Sequence, residues 1–225
     1  MKQNQDYKNA ALAALKGNWP QALVATIIFL ALAGIIFGPM EADNFRSIYG
    51  LAPIIPGYAS FTFTLATIFI FYPLSVGYAN SFRALLDTGD NRITSNTFSM
   101  GFGNWLHVSV GMLITYIYVV LWSLLFIIPG IIKVFSYAMT PFILVERPEL
   151  SFNEAIDESR RLMDGHKFDY FYLMLSFIGW WILSILSLGI GFIWLMPYME
   201  TASAAFYADV KEEKGGGVLE GERVL

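Results

Sequence analysis

Residues 146–167 read ERPELSFNEAIDESRRLMDGHK, the one properly hydrophilic stretch in a chain otherwise filled with apolar runs. Within it, Ser151 is followed three residues later by Glu154, a capping-box signature in which each side chain satisfies a free N–H at a helix start. Phe152, Ile156, Ser159 and Met163 then recur at helical spacing, and Gly165 is a natural stop. The stretch predicts an amphipathic helix at a membrane interface. The side of the membrane on which it lies decides how the rest of the chain is threaded.

Working outward, six apolar segments are predicted, at about 19–37, 57–79, 106–128, 129–145, 170–188 and 189–207. About 20 residues at a rise of 1.5 Å cross the hydrocarbon; the fourth segment is the shortest. The first follows Lys2, Lys8 and Lys16 and contains Ala31-Leu32-Ala33, a cleavage-like triplet. The apolar run continues through Ile35, Ile36 and Phe37, so an uncleaved first helix is expected. Gly34 and Gly38 in that segment are spaced for close helix approach, with packing inside the chain favoured over dimerisation.

Basic residues orient the chain. With six spans, one side receives the N-terminus, residues 83–102, residues 146–167 and the C-terminal tail, which together hold twelve of the fourteen Lys and Arg. The other side holds Arg46 alone, and Lys133 lies within the fourth segment. Both termini are therefore expected in the cytoplasm. If the fourth segment were a re-entrant loop, the basic residues of 146–167 would face outside. Residues 1–208 read as a single integral membrane domain and residues 209–225 as a disordered cytoplasmic tail.

A repeat runs through this pattern. Leu15-Lys16-Gly17-Asn18-Trp19 leads into the first segment, Gly101-Phe102-Gly103-Asn104-Trp105 into the third, and Met163-Asp164-Gly165-His166-Lys167-Phe168 into the fifth. The expected fold is all-α: a six-helix transmembrane bundle of three helical-hairpin repeats with inner interfacial helices.

Composition agrees. Of 225 residues 56% are apolar and only 14% charged, against roughly 25% charged in soluble domains. Mean hydropathy is +0.54. The net charge of −4 offers no basic field to nucleic acid. The absence of cysteine removes disulfides, thiolate metal sites and Cys nucleophiles.

The second half also resembles a known family. Ile128-Pro129-Gly130-Ile131-Ile132-Lys133, Ser136-Tyr137-Ala138-Met139-Thr140-Pro141, Pro148-Glu149-Leu150-Ser151, Glu154-Ala155-Ile156, Gly165-His166, Leu175-Ser176-Phe177-Ile178-Gly179-Trp180-Trp181 and Pro197-Tyr198 resemble the bacterial domain-of-unknown-function 975 family of integral membrane proteins. The Pro-Gly break and the amphipathic helix are more distantly similar to the membrane domain of glycerophosphodiester phosphodiesterases. Their soluble catalytic domain has no counterpart here. The resemblance implies a bacterial cytoplasmic membrane and carries no activity with it.

Lys133 and Glu200 are the two charges most clearly inside apolar segments, where charge is costly and usually faces protein or a cavity. They form a candidate intramembrane polar site. Lys133 has the alternative of snorkelling to the interface; Glu200, eleven residues into its segment, is harder to excuse. Pro73, Pro129, Gly130, Pro141 and Pro197 mark helix breaks, which line transport sites in some proteins and are plain kinks in many. Arg160, Arg161, His166 and Lys167 form a candidate lipid-headgroup or partner surface, diluted by Glu154, Asp157, Glu158 and Asp164. His107 and His166 lack further ligands at useful spacing, so no metal is expected; nor is any cofactor, since neither a phosphate loop nor a dinucleotide fingerprint is present, nor does a nucleophile elbow surround any serine.

The expected function is a non-enzymatic inner-membrane component that binds protein partners or lipid, with a homo-oligomer as a further possibility. The alternative is a small-molecule or ion transporter or channel using Glu200 and the broken helices. A transporter is expected to hold a hydrated cavity reaching Glu200. An enzyme is expected to place His107 or His166 beside carboxylates.

Overall fold

A computed structural model describes residues 2–222, which form helices and no strand. Each repeat opens with a short amphipathic helix, turns at or near a glycine, and continues into an apolar hairpin. The first comprises α1 (Asn4–Leu15), α2 (Trp19–Ile48) and a second limb built from α3 (Gly57–Ala66), a π-helical turn (Thr67–Phe71) and α4 (Tyr72–Thr88). The second comprises α5 (Ile93–Phe102), α6 (Trp105–Leu125), α7 (Ile127–Ser136) and α8 (Thr140–Glu146). The third comprises α9 (Phe152–Leu162), α10 (Lys167–Leu175), α11 (Ile178–Leu186) and α12 (Phe192–Glu222). Gly17 and Gly165, at the equivalent turns of the first and third repeats, both have φ of 85°. That left-handed conformation favours glycine.

The repeats share packing as well as order. The amphipathic helix that opens each repeat lies against the end of the hairpin before it: α5 on α4, α9 on α8, and α1 on α12. The last pairing joins the third repeat to the first and closes a ring. The first limb of each hairpin packs on the second limb of the preceding one, α6 on α4 and its π-helical turn, α10 on α7, and α2 on α12. The tips of the second and third hairpins also correspond. A Cβ on Gly130 would lie 2.8 Å from Ser123 Cα, and one on Gly191 would lie 2.7 Å from Ser184 Cα. Both glycines stand seven residues after their serine and let the limbs touch.

Burial divides the molecule into an interior and an apolar perimeter. One core joins Tyr7 and Ala11 with Met139, Phe142, Ala155, Leu162, Phe177 and Phe206. A second joins Leu15, Ala22, Phe29, Leu74, Tyr78 and Phe82. The amphipathic stripe of α9 is real, with Ala155, Ile156, Ser159 and Leu162 buried, but it faces protein: Ser159 Oγ donates to the Ser136 carbonyl at 3.0 Å and accepts the Met139 N–H at 3.2 Å. The capping box forms, with Glu154 accepting from the Ser151 N–H at 2.8 Å.

Among the described residues five helical stretches are long and apolar enough to cross a membrane: Trp19–Ile48, Ala59–Thr88, Trp105–Leu125, Ile127–Glu146 and Lys167–Leu186. In four of them only 17–22% of the apolar window is buried, so most of their surface is free for lipid. The sixth expected segment is helical but less apolar. Its polar residues Thr201 and Ser203 are buried against protein, where an apolar exterior is not required.

Three expectations change. α12 runs past Asp209 to Glu222, so the stretch expected to be a disordered tail is helical that far. Burial of Val210 and the contacts of Asp209 and Lys211 hold it; residues 223–225 lie outside the described residues. A Cβ at Gly34 or Gly38 would meet nothing within 4 Å, so this pair packs no helix of its own chain. The break expected at Pro129 and Gly130 comes instead at Phe126, in extended backbone, and Pro129 and Gly130 lie in the first turn of α7, where proline costs no hydrogen bond.

Candidate functional site

The even limbs α4, α8 and α12 meet beyond their prolines, and each brings polar side chains to the meeting point. From α4, Asn80 donates to the Pro141 carbonyl at 2.9 Å, satisfying an acceptor at the start of α8. Its own oxygen receives Arg83 Nε at 3.0 Å. Arg83 Nη1 lies 3.5 Å from Asp87 and 3.9 Å from Glu146, the last residue of α8. From α12, the Tyr207 hydroxyl donates to Glu146 at 2.5 Å, and Lys211 pairs with the same carboxylate. The Tyr207 ring stacks on Phe142 with centroids 5.0 Å apart. One carboxylate from the second repeat thus gathers a guanidinium from the first and a phenol and an ammonium from the third. The Arg83 and Glu146 side chains are 16% and 21% exposed, so the pairing is largely shielded from water. Sequence reasoning assigned Arg83 and Glu146 to polar connections. Residues 80, 83 and 87 at helical spacing after Pro73 were the available signal.

Pro197, expected to break its helix, lies inside α12, which runs on through it, and side chains bond two of the proline carbonyls. Pro141 is served by Asn80, and the Pro197 carbonyl accepts the Thr201 hydroxyl at 2.7 Å. The Pro73 carbonyl lies against Gly101, where a Cβ would stand 2.0 Å away. A break without proline separates α10 from α11, and there Lys8 donates to the Ser176 carbonyl at 2.8 Å.

Lys133 and Glu200 are not brought together. The Lys133 ammonium sits 4.5 Å from the centre of the Trp122 ring and 5.7 Å from that of Tyr137, an arrangement that stabilises a cation away from a carboxylate. Glu200 is half-buried on α12, within electrostatic range of the Tyr78 and Tyr170 hydroxyls, and makes no hydrogen bond or ion pair among the described residues.

The basic patch is largely neutralised. Arg160 binds Asp157 at 2.6 Å and Arg161 binds Glu158 at 2.7 Å. The hydrogen bond from Arg161 holds the Glu158 carboxyl below its usual range, against the opposing effect of burial. Lys167 lies 3.8 Å from Asp164. His166 does stand beside two carboxylates, Asp169 at 3.5 Å and Glu213 at 3.2 Å. Both ring nitrogens face these acids from the turn before α10, and no hydroxyl nucleophile is paired with the ring among the described residues. His107 packs on Phe152, with ring centres 5.1 Å apart. Among the described residues no group of three or more His, Cys, Asp or Glu is placed to hold a metal ion.

The fold and its apolar perimeter define an all-α polytopic bundle of three helical-hairpin repeats. Residues 110–214 match the family described as protein of unknown function (DUF975). The matched stretch takes in most of α6 and runs on through the polar part of α12. No curated protein and no solved structure matches the chain.

Proposed function

We propose that the protein is a non-enzymatic component of a bacterial cytoplasmic membrane, multi-pass with both termini cytoplasmic, that binds lipid or a membrane protein partner. The observation that carries this reading is the pairing at the junction. Arg83, Glu146, Tyr207 and Lys211 are spent on holding three repeats together, while the surface left for contact is the apolar perimeter. Such a surface suits association within a bilayer. The distribution of basic residues supports the orientation. Extraction from native membranes in mild detergent followed by native mass spectrometry tests it. A bound lipid or a stoichiometric partner is the expected result; a bare chain or bare homo-oligomer would count against it.

Glu200 favours a second reading, a transporter or channel. A half-buried carboxyl without a partner, close to two tyrosines, suits a coupling site better than a scaffold. In reconstituted vesicles a flux that falls in Glu200→Gln and persists in Lys133→Leu would replace the first reading with this one.

A further inference from the structure

We infer that His166 is a proton-operated latch: with its ring positively charged it holds the end of α12 to the turn before α10, and on losing the proton it lets that end loosen. The residue is only 8% exposed. Its Nδ1 lies 3.5 Å from Asp169, three residues on, and its Nε2 lies 3.2 Å from Glu213 of α12. Nε2 is buried and completes no hydrogen bond among the described residues. Carboxylates only accept hydrogen bonds, and a neutral imidazole has a single N–H to give. A neutral ring therefore serves one acid and turns a lone pair toward the other. A second proton converts that lone pair into a donor and sets a positive charge between two negative ones. The end of α12 needs such a hold. Gly215, Gly216 and Gly217 follow Glu213 closely, and glycine costs a helix about 1 kcal/mol per residue. Glu213 also stands four residues after Asp209, on the same face of α12, so the latch extends the row of contacts that Tyr7 begins at Asp209.

The other charged groups on the packed elements are engaged elsewhere. From α1, Tyr7 bonds Asp209 and lies within electrostatic range of Asp169. From α9, Arg161 is turned to Glu158. At the turn itself Lys167 faces Asp164, and on α12 Lys211 faces Glu146. Tyrosine, lysine and carboxylate side chains ordinarily titrate outside the range of about pH 5 to 8, in which histidine changes its charge. His107, the second of the two histidines, packs on Phe152. The latch is closed at the acid end of that window and open at the alkaline end, because only the charged ring donates to both acids.

Hydrogen–deuterium exchange of the full chain in mild detergent, at about pH 5.5 and about pH 8, tests the latch. Protection is corrected for the intrinsic pH dependence of exchange and read against the buried stretch 76–82 of α4. In the wild-type protein, residues 210–215 are expected to exchange about threefold faster at the higher pH. That is the size carried by ion pairs with half-exposed acids, and the Asp169 and Glu213 side chains are 50% and 43% exposed. His166→Gln is expected to abolish the difference and His107→Gln to keep it. Glu213→Gln is expected to abolish it while leaving the helix end protected, since an amide both donates and accepts and so suits either form of the ring. That variant separates a lost latch from a lost fold. Equal protection of the wild-type segment at both pH values overturns the inference, and so does a pH difference that persists in either His166→Gln or Glu213→Gln.

Discussion

The Tyr7 hydroxyl donates to the Asp209 carboxylate at 2.6 Å, across 202 positions of the chain. The backbone N–H of Lys2 donates to the same oxygen at 3.1 Å, and the Lys2 ammonium lies 3.5 Å from the other. Edge-to-face packing of Tyr7 on Phe206, with centroids 5.3 Å apart, completes the contact. This clasp does for the first and third repeats what the short loops at 89–92 and 147–151 do for the others: it seats an amphipathic helix on the limb before it. Here no chain connection enforces the pairing, so side chains must.

Acid should loosen that clasp only when it protonates Asp209. Burial pushes the Asp209 carboxyl up, but the hydrogen bonds from Tyr7 and Lys2 and the Lys2 charge outweigh it, and the net shift is below the ordinary 3.8. A group whose folded-state value is depressed contributes its stability above the unfolded value and loses it as pH falls through the folded one. Amide exchange in α1 should therefore rise relative to α12 only below the ordinary value of 3.8. In Asp209→Asn, α1 should already exchange faster at neutral pH. Equal protection of α1 in wild type and Asp209→Asn at neutral pH would remove the clasp from the account.

Glycine contacts predict a sharp contrast within one residue type. A Cβ on Gly77 would stand 1.8 Å from the Thr97 carbonyl oxygen, and one on Gly101 would stand 2.0 Å from the Pro73 oxygen. Backbone cannot yield as a side-chain tip can, so Gly77→Ala and Gly101→Ala should each cost at least the upper part of the usual overpacking range of about 1–3 kcal/mol. Gly34→Ala and Gly38→Ala, with open space around them, should be near neutral. Monodisperse yield and melting temperature in detergent read the difference; four equal variants would refute the α4–α5 contact.

The junction should respond to loss of its shared carboxylate. Glu146→Gln leaves Arg83 and Lys211 with Asp87 as their remaining shared counter-charge, and should destabilise by about 2 kcal/mol, short of a fully buried pair because the site is partly exposed. Asp87→Asn should cost less, since the Asp87 side chain is 39% exposed. Unfolding midpoints in denaturant would rank them, and a smaller loss for Glu146→Gln than for Asp87→Asn would contradict the arrangement.

Much of the architecture was legible. Apolar runs of span length, Gly17 and Gly165 before the first and third hairpins, and the Ser151–Glu154 capping box all reflect local chemistry that a sequence records directly. The junction was not legible, because Arg83, Glu146 and Tyr207 come from three repeats and only the ring brings them together. Intramembrane charge led to Lys133 and Glu200, but hydropathy cannot tell a lysine on aromatic rings from one awaiting a carboxylate. The tail misled for a related reason: residues 209–214 are polar in composition, yet Asp209 and Lys211 are claimed by Tyr7 and Glu146.

Closure of the ring is the central claim, and zero-length carbodiimide coupling in native membranes tests it most directly. The Lys2–Asp209 and Lys211–Glu146 pairs should both yield amide cross-links in peptide mapping, alongside the local Lys167–Asp164 pair as an internal control. Finding the local link while both long-range links are missing would contradict the closed ring.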